Sequence, residues 1–461
     1  MGQSIGRWIR GAALLPVALT AGVLAYAQED DVATRLAALE ETVNSSASAY
    51  VDNSYLFLIG GIIVMFMAAG FCMLEAGLVR SKNAAMQSTK NVLLYAVAGL
   101  MFWVVGYNMA YPGTTILNGL LGVTPGPWSG GDLSVMSEAG YAPASDWFFQ
   151  MVFVATAASI VSGTVAERVK IWPFLIFTAV LTAVIYPIVV SWEWGGGYLD
   201  SAWAFSDFAG STLVHSVGGW AALVGAIIIG PRTGKYIGNV VHPMPGSNIP
   251  LAALGTFILW FGWFGFNGAS QLAAGTVADI NSVAQIFANT NMAAVGGTLF
   301  AMVTTAVLYK GKVDATMVFN GALAGLVSIT AEPLTPTMGQ AVLIGGVGGV
   351  LAVLTVPLLD KFKIDDVVGA IPVHLVCGIW GTIIVAATHG GAIMPNEAGD
   401  PSFVGQAVGV GLTAVFVVAA STVVWLVLKF TMGVRCSLEA EEMGLDKAEI
   451  GLEAYPEFSR G

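Results

Sequence analysis

Charge is what this sequence has least of. Only 10% of its 461 residues are Asp, Glu, Lys or Arg, against about a quarter in a soluble globular domain. Cysteine is rarer still. Cys72, Cys377 and Cys436 stand far apart, without the spacing of a disulfide framework or a metal site. They read as fillers of an apolar interior. The four histidines include no H-E-x-x-H pair, so a membrane metalloprotease lacks its ligands. No metal ligand set or cofactor motif is expected. Lys and Arg number 18 against 29 Asp and Glu, a net charge of −11, which argues against a nucleic-acid partner.

What is there instead is apolar: 56% of the residues, in long runs that repeat from Tyr55 to Lys429. Each run is close to the roughly 20 residues that a helix needs to cross a bilayer. A transmembrane barrel would show short alternating segments. The chain reads as an all-α polytopic membrane protein with eleven spans, near 55–78, 91–111, 147–166, 171–191, 207–229, 250–268, 281–309, 314–331, 339–358, 367–388 and 403–429. Arg7 and Arg10, the apolar stretch Ala12 to Leu24 and Ala25-Tyr26-Ala27 read as a signal peptide over 1–27; a retained first helix is the alternative. Residues 28–52 follow as a polar external extension, where Leu36, Leu39 and Val43 make a weak helical stripe. The membrane domain is expected over 53–430 and a polar tail over 431–461.

Positive charge orients the spans. After Arg35, Lys and Arg occupy alternate loops, among them Arg80, Lys90, Arg168, Arg232, Lys310 and Lys361, or the C-terminal tail. The loops near 112–146, 192–206, 269–280, 332–338 and 389–402 have none. Cytoplasmic loops carry the Lys/Arg excess. The chain is therefore read as a multi-pass protein of the cell inner (cytoplasmic) membrane, N-terminus outside and C-terminus cytoplasmic. The outer loops hold Asp132, Glu138, Glu193, Asp200, Asp279, Glu332, Glu397 and Asp400. Such a surface concentrates cations; loop solubility explains it equally well.

One motif occurs twice. Asp207-Phe-Ala-Gly210-Ser-Thr-Leu-Val214-His215-Ser-Val217-Gly-Gly219 and Asp366-Val-Val-Gly369-Ala-Ile-Pro-Val373-His374-Leu-Val376-Cys-Gly378 both read D-x-x-G-x-x-x-V-H-x-V-x-G. The first follows an outer loop and the second an inner one, so the motif enters the membrane from opposite faces. That is an inverted repeat, five spans plus five, with one span extra. Each histidine lies eight residues past its aspartate, about 12 Å along a helix, near the middle of a core about 30 Å thick. Intramembrane ionisable groups point to function. The aspartates suit helix capping, the preferred role for Asp366; Asp207, at the outer mouth, also suits the indirect orientation of a cation site.

These residues carry a resemblance. Asp207 to His215, Glu75-Ala-Gly-Leu-Val-Arg80-Ser-Lys-Asn83, Trp260-Phe-Gly-Trp263-Phe-Gly-Phe266-Asn267 and Asp365-Asp366 leading to His374 resemble, in order, motifs of the ammonium transporter (Amt/MEP/Rh) family, bacterial Amt type. The likeness covers roughly 53 to 455. It implies a transporter rather than an enzyme, taking ammonium or ammonia through a pore in each subunit of a homotrimer. It implies that His215 and His374 are a twin-histidine pair, that Phe153 and Phe266 are stacked gates, that Trp263 lines the pore, and that Trp194 and Ser270 form an external cation site. Glu193, before Trp194, stands where an uncharged residue is expected. The tail from Val434 to Tyr455 resembles the cytoplasmic tail of the family, which implies contact with neighbouring subunits and with a PII-type signalling protein. A sensor of the same fold and a carrier of another small amine or an uncharged gas remain open alternatives.

Overall fold

The computed structural model of the protein describes residues 31–36, 39, 46–122, 124 and 126–458. The expected signal peptide over 1–27 lies outside them. Ten helices are long and apolar enough to cross a membrane, and an eleventh, Ala315–Ile329, is shorter. In chain order they are α1 Ser46–Leu78, α2 Ser81–Ala110, α3 Pro143–Thr164, α4 Ile171–Ser191, α5 Ser211–Ile229, α6 Ile249–Gln271, α7 Val277–Leu308, α8 Ala315–Ile329, α9 Met338–Lys361, α10 Ile371–Thr388 and α11 Phe403–Thr431. The strands found among the described residues are two small antiparallel hairpins, Thr115–Ile116 with Leu121–Gly122 and Tyr236–Ile237 with Val240–Val241. The expected all-α fold is therefore observed.

Several helix starts differ from expectation. α1 begins at Ser46, so the end of the stretch read as a polar extension continues the first helix. α2 begins at Ser81 rather than 91, which puts Lys90 inside a helix, 1% exposed, and not in a loop. A hydropathy reading trims a helix at its charges, whereas this ammonium is held internally by the Ser162 carbonyl oxygen at 2.9 Å. α5 and α10 begin four and five residues after their aspartates, so part of the eight-residue rise to each histidine is turn.

Helix starts follow local chemistry. Thr276 with Asp279 and Thr337 with Gln340 form capping boxes at α7 and α9, and Ser402 caps α11. Asp279 of the acidic loop set is thus structural, and Glu332 pairs with His389 at 3.2 Å. Small residues set the helix spacing, as in other membrane bundles. A Cβ at Gly345 of α9 would stand 2.0 Å from the Ala293 carbonyl oxygen of α7. A Cβ at Gly255 of α6 would stand 2.3 Å from the Leu74 nitrogen of α1.

The repeat is visible in these contacts. α1 packs on α6, and α5 on α10, each helix against its counterpart. Gly219 of α5 faces Leu375, the residue after His374, while Gly378 of α10 faces Ser216, the residue after His215. Each histidine helix opens with a wide π turn after a left-handed glycine, Gly210 at φ 107° and Gly369 at φ 79°. Positive φ costs glycine little, and the helix start leaves its first N–H groups free for the aspartates.

The polar tail is docked rather than loose. Arg435 bridges Val169, and the Cys436 N–H donates to the Arg168 carbonyl at 3.0 Å. The Asp446 carboxylate accepts from the N–H groups of Ala85 at 3.1 Å and Met86 at 2.7 Å, in the first turns of α2. Glu441 accepts from the Thr233 N–H at 2.6 Å and from Arg435 at 2.7 Å.

Candidate pore and binding site

The two aspartates fix the histidines. Asp207 is fully buried and accepts four backbone N–H bonds, from Gly210, Ser211, Thr212 and Leu213, at 2.7–3.0 Å. Asp366 accepts from the Ile371 N–H at 2.7 Å and the Thr164 hydroxyl at 3.0 Å. Carboxylates at helix N-termini satisfy orphan donors and suit the dipole. Asp207 thus reaches its surroundings through the α5 backbone, with both oxygens already occupied.

From these turns the histidines meet. Nδ1 of His215 and Nδ1 of His374 lie 3.2 Å apart, with ring centroids at 5.2 Å. Both residues are buried, and His215 Nε2 has no partner. Rings wall the pair. Trp263 and Phe266 stack on His215 at centroid distances of 5.1 and 5.3 Å, and Phe71 lies 6.0 Å from His374. The Trp263 indole N–H is taken by the Thr330 hydroxyl at 2.8 Å, which leaves an apolar ring against the imidazole.

The column continues towards Trp194. Phe153 and Phe266 stack at 3.9 Å, and both are buried. Trp194 meets Phe153 edge-on at 6.1 Å, and its indole N–H donates to the Asp207 carbonyl at 2.9 Å. The Ser270 hydroxyl donates to the Phe266 carbonyl at 2.7 Å, so its oxygen keeps lone pairs for another donor. Glu193 accepts from the Asp207 N–H at 2.7 Å, and its second oxygen is shielded from solvent without a partner. Burial, then the Asp207 carboxylate, pushes the Glu193 carboxyl well above the ordinary range.

The far end is ionic. Arg232 binds Asp365 through two nitrogens at 2.8 and 2.9 Å and Glu167 at 2.9 Å. Glu167, at φ 68°, also accepts from Arg80 and from Asn83. Fully buried Arg168 donates to four carbonyls, including that of Asp365 at 2.6 Å. No group of three or more His, Cys, Asp or Glu that would hold a metal occurs among the described residues.

The residues singled out in the sequence, Trp194, Ser270, Asp207, Phe153, Phe266, His215, His374 and Trp263, all fall on this column or next to it. Sequence reasoning missed Phe71, and it missed the buried group of Glu75, Gln87, Lys90, Asn91 and Ser162 beyond His374. The available signal was a carboxylate inside an apolar span.

A buried column of rings around a histidine pair, in a bundle of membrane-length helices with an inverted repeat, defines a polytopic membrane transporter. The chain belongs to the ammonium transporter family, whose model, described as Ammonium Transporter Family, matches residues 55–455. It is 40% identical over 440 residues to ammonium transporter Amt2 of Archaeoglobus fulgidus, covering 91% of each chain. It is 38% identical over 421 residues to ammonium transporter Amt2 of Haloferax mediterranei, covering 86% of this chain and 88% of the relative. Among solved structures it is similar to a Sensor Amt Protein, at TM-score 0.81 and 35% identity, covering 88% of this chain and 100% of that one. Mep2 of Candida albicans shares the fold, at TM-score 0.72 and 23% identity.

Proposed function

We propose that the protein takes up ammonium across the cytoplasmic membrane, with the Trp194 end of the column outside and the Arg232 end inside. Trp194 and Ser270 recruit the ion, with Asp207 holding the Trp194 ring through its carbonyl. Phe153 and Phe266 form the gate. His215, His374 and Trp263 line the passage, which conducts ammonia with a relayed proton. The subunit works in a homotrimer, and the tail presents a surface to a PII-type signalling protein.

The observation that carries this reading is the Nδ1-to-Nδ1 contact of 3.2 Å between two histidines inside an apolar column. An ion entering that column loses its water. Each aromatic face returns about 0.5–2 kcal/mol by cation–π attraction. Carrying the charge past the midplane costs from about 2.5 to over 10 kcal/mol. Removing the proton from an amine of pKa about 10.4 at pH 7 costs about 4.6 kcal/mol. These ranges overlap, and the histidines tip the balance. Neutral imidazoles offer ammonia polar partners and offer its proton a hydrogen-bonded path, whereas potassium gains neither.

The test is transport current from full-length protein in liposomes with ammonium, methylammonium and potassium. His215→Ala and His374→Ala are expected to reduce the ammonium current or to admit potassium. Variants that match the parent in current and in ion preference would overturn the mechanism.

A further inference from the structure

Beyond His374 the column meets a small cavity of about 10 Å³, lined by Phe71, Glu75, Ser159, Gly163, Val368 and His374 among others. That is about the room one water molecule needs. Glu75 is 1% exposed. Its Oε2 accepts from Gln87, from Asn91 at 2.7 Å and from the Ser162 hydroxyl at 2.8 Å. Its Oε1 has no partner. That free oxygen is turned to the cavity wall at Gly163, where a Cβ would lie 3.4 Å from it. The positive group beside it is buried Lys90, whose ammonium donates to the Ser162 carbonyl at 2.9 Å and lies 4.9 Å from the centre of the Phe174 ring.

Three donors on one oxygen and none on the other is an uneven way to hold a buried carboxylate. Buried polar atoms are normally satisfied, and a free oxygen facing a one-molecule cavity is a place for a proton or a hydrogen-bond donor. His374 lines the same cavity, so one water held there would lie between imidazole and carboxylate.

We propose that Glu75 is the proton acceptor on the exit side of the histidine pair and the site where ammonia is reprotonated. This rests on the proposed relay through His215 and His374. The His374 imidazolium gives its N–H proton to the cavity water as that water gives one of its own to Glu75 Oε1. The N–H bond breaks, an O–H bond forms, and both side chains become neutral. Ammonia reaching the cavity then takes the proton, which restores the carboxylate and yields ammonium. Lys90 opposes retention of the new cation, which leaves towards the Arg232 end.

The experiment compares charge moved with molecules moved, from liposome current and labelled methylammonium uptake on the same full-length preparation. Glu75→Gln keeps an oxygen for the three donors and loses the acceptor. The charge carried per methylammonium is expected to fall at least about tenfold, a smaller loss than the roughly 10²–10⁴-fold typical of a deleted acid–base group, and Glu75→Asp is expected to recover part of it. Because Glu75→Gln leaves Lys90 uncompensated, Glu75→Gln/Lys90→Met is measured beside it. The low ratio is expected to persist in this double variant, whose monodispersity in detergent is checked first. An unchanged ratio in both, or loss of current and uptake together that the double variant restores, overturns the assignment. If Glu75→Gln behaves as the parent while His215→Ala and His374→Ala are inert, Glu75 alone is wrong. If the histidine variants carry normal current, the relay itself is wrong.

Discussion

The Asp207 N–H donates to Glu193 Oε1 at 2.7 Å, and the other Glu193 oxygen is left without a partner one residue from Trp194. A carboxylate so placed would give a cation at the proposed mouth a second handle. Burial, then Asp207, raises its pKa, so the folded chain holds a proton that the unfolded chain releases above about pH 4.3. Folding stability from this group therefore falls as pH rises through the folded value, while the charge available to a cation grows. The ammonium concentration for half-maximal current should fall with rising pH in the parent. In Glu193→Gln that dependence should flatten.

Trp194 and Ser270 should govern affinity more than passage. Losing the indole face costs about 0.5–2 kcal/mol, so Trp194→Leu should raise the half-saturating ammonium concentration about two- to thirty-fold. Concentration series of liposome current measure this directly. A half-saturation value that does not move would remove the recruitment role.

The ionic end should fail in acid. Burial pushes Asp365 up, but its hydrogen bonds to Arg232 and the charge of Arg168 outweigh that and hold the carboxyl well below the usual range. Its stabilisation is complete above the ordinary aspartate pKa of about 3.9 and is lost as pH falls towards the folded value. Thermal unfolding in detergent should show Tm dropping below about pH 4. Asp365→Asn should lower Tm at neutral pH, since breaking a buried pair costs about 3–5 kcal/mol.

The tail should be separable from the pore. Truncation after Met432 removes Glu441 and Asp446, whose bonds reach Thr233, Ala85 and Met86, and leaves α1–α11 complete. The truncated protein should insert and stay monodisperse, with lower transport or lost PII binding. Normal transport together with normal PII binding would count against a regulatory tail.

Much of the fold was legible because bilayer-length apolar runs and alternating positive loops are strong, long-range signals. The histidine pair was legible because its motif occurs twice, and symmetry turned two isolated residues into a contact. Lys90 and Glu75 were not. A charge count reads Lys90 as a loop and Glu75 as part of a helix end, and only packing reveals that α2 and α3 enclose both. The turn geometry was also hidden. Nothing in the one-dimensional pattern says that α5 and α10 open with π turns. Glu167 gave no hint either: its left-handed backbone accompanies a carboxylate shared by two arginines distant in sequence.

The histidine contact also has a memory. Two rings joined Nδ1 to Nδ1 share one hydrogen, so at any moment one is the Nδ1–H tautomer and the other is not. Under the proposed relay, a proton entering at the unpartnered Nε2 of His215 and leaving from Nε2 of His374 would exchange the two tautomers. Trp263 and Phe266 stacked on His215, and Phe71 beside His374, oppose a turn of either ring that would undo this. If the proposed relay runs through this pair, each charge leaves it polarised against the next one of the same direction, and a return step restores it before the pair conducts again.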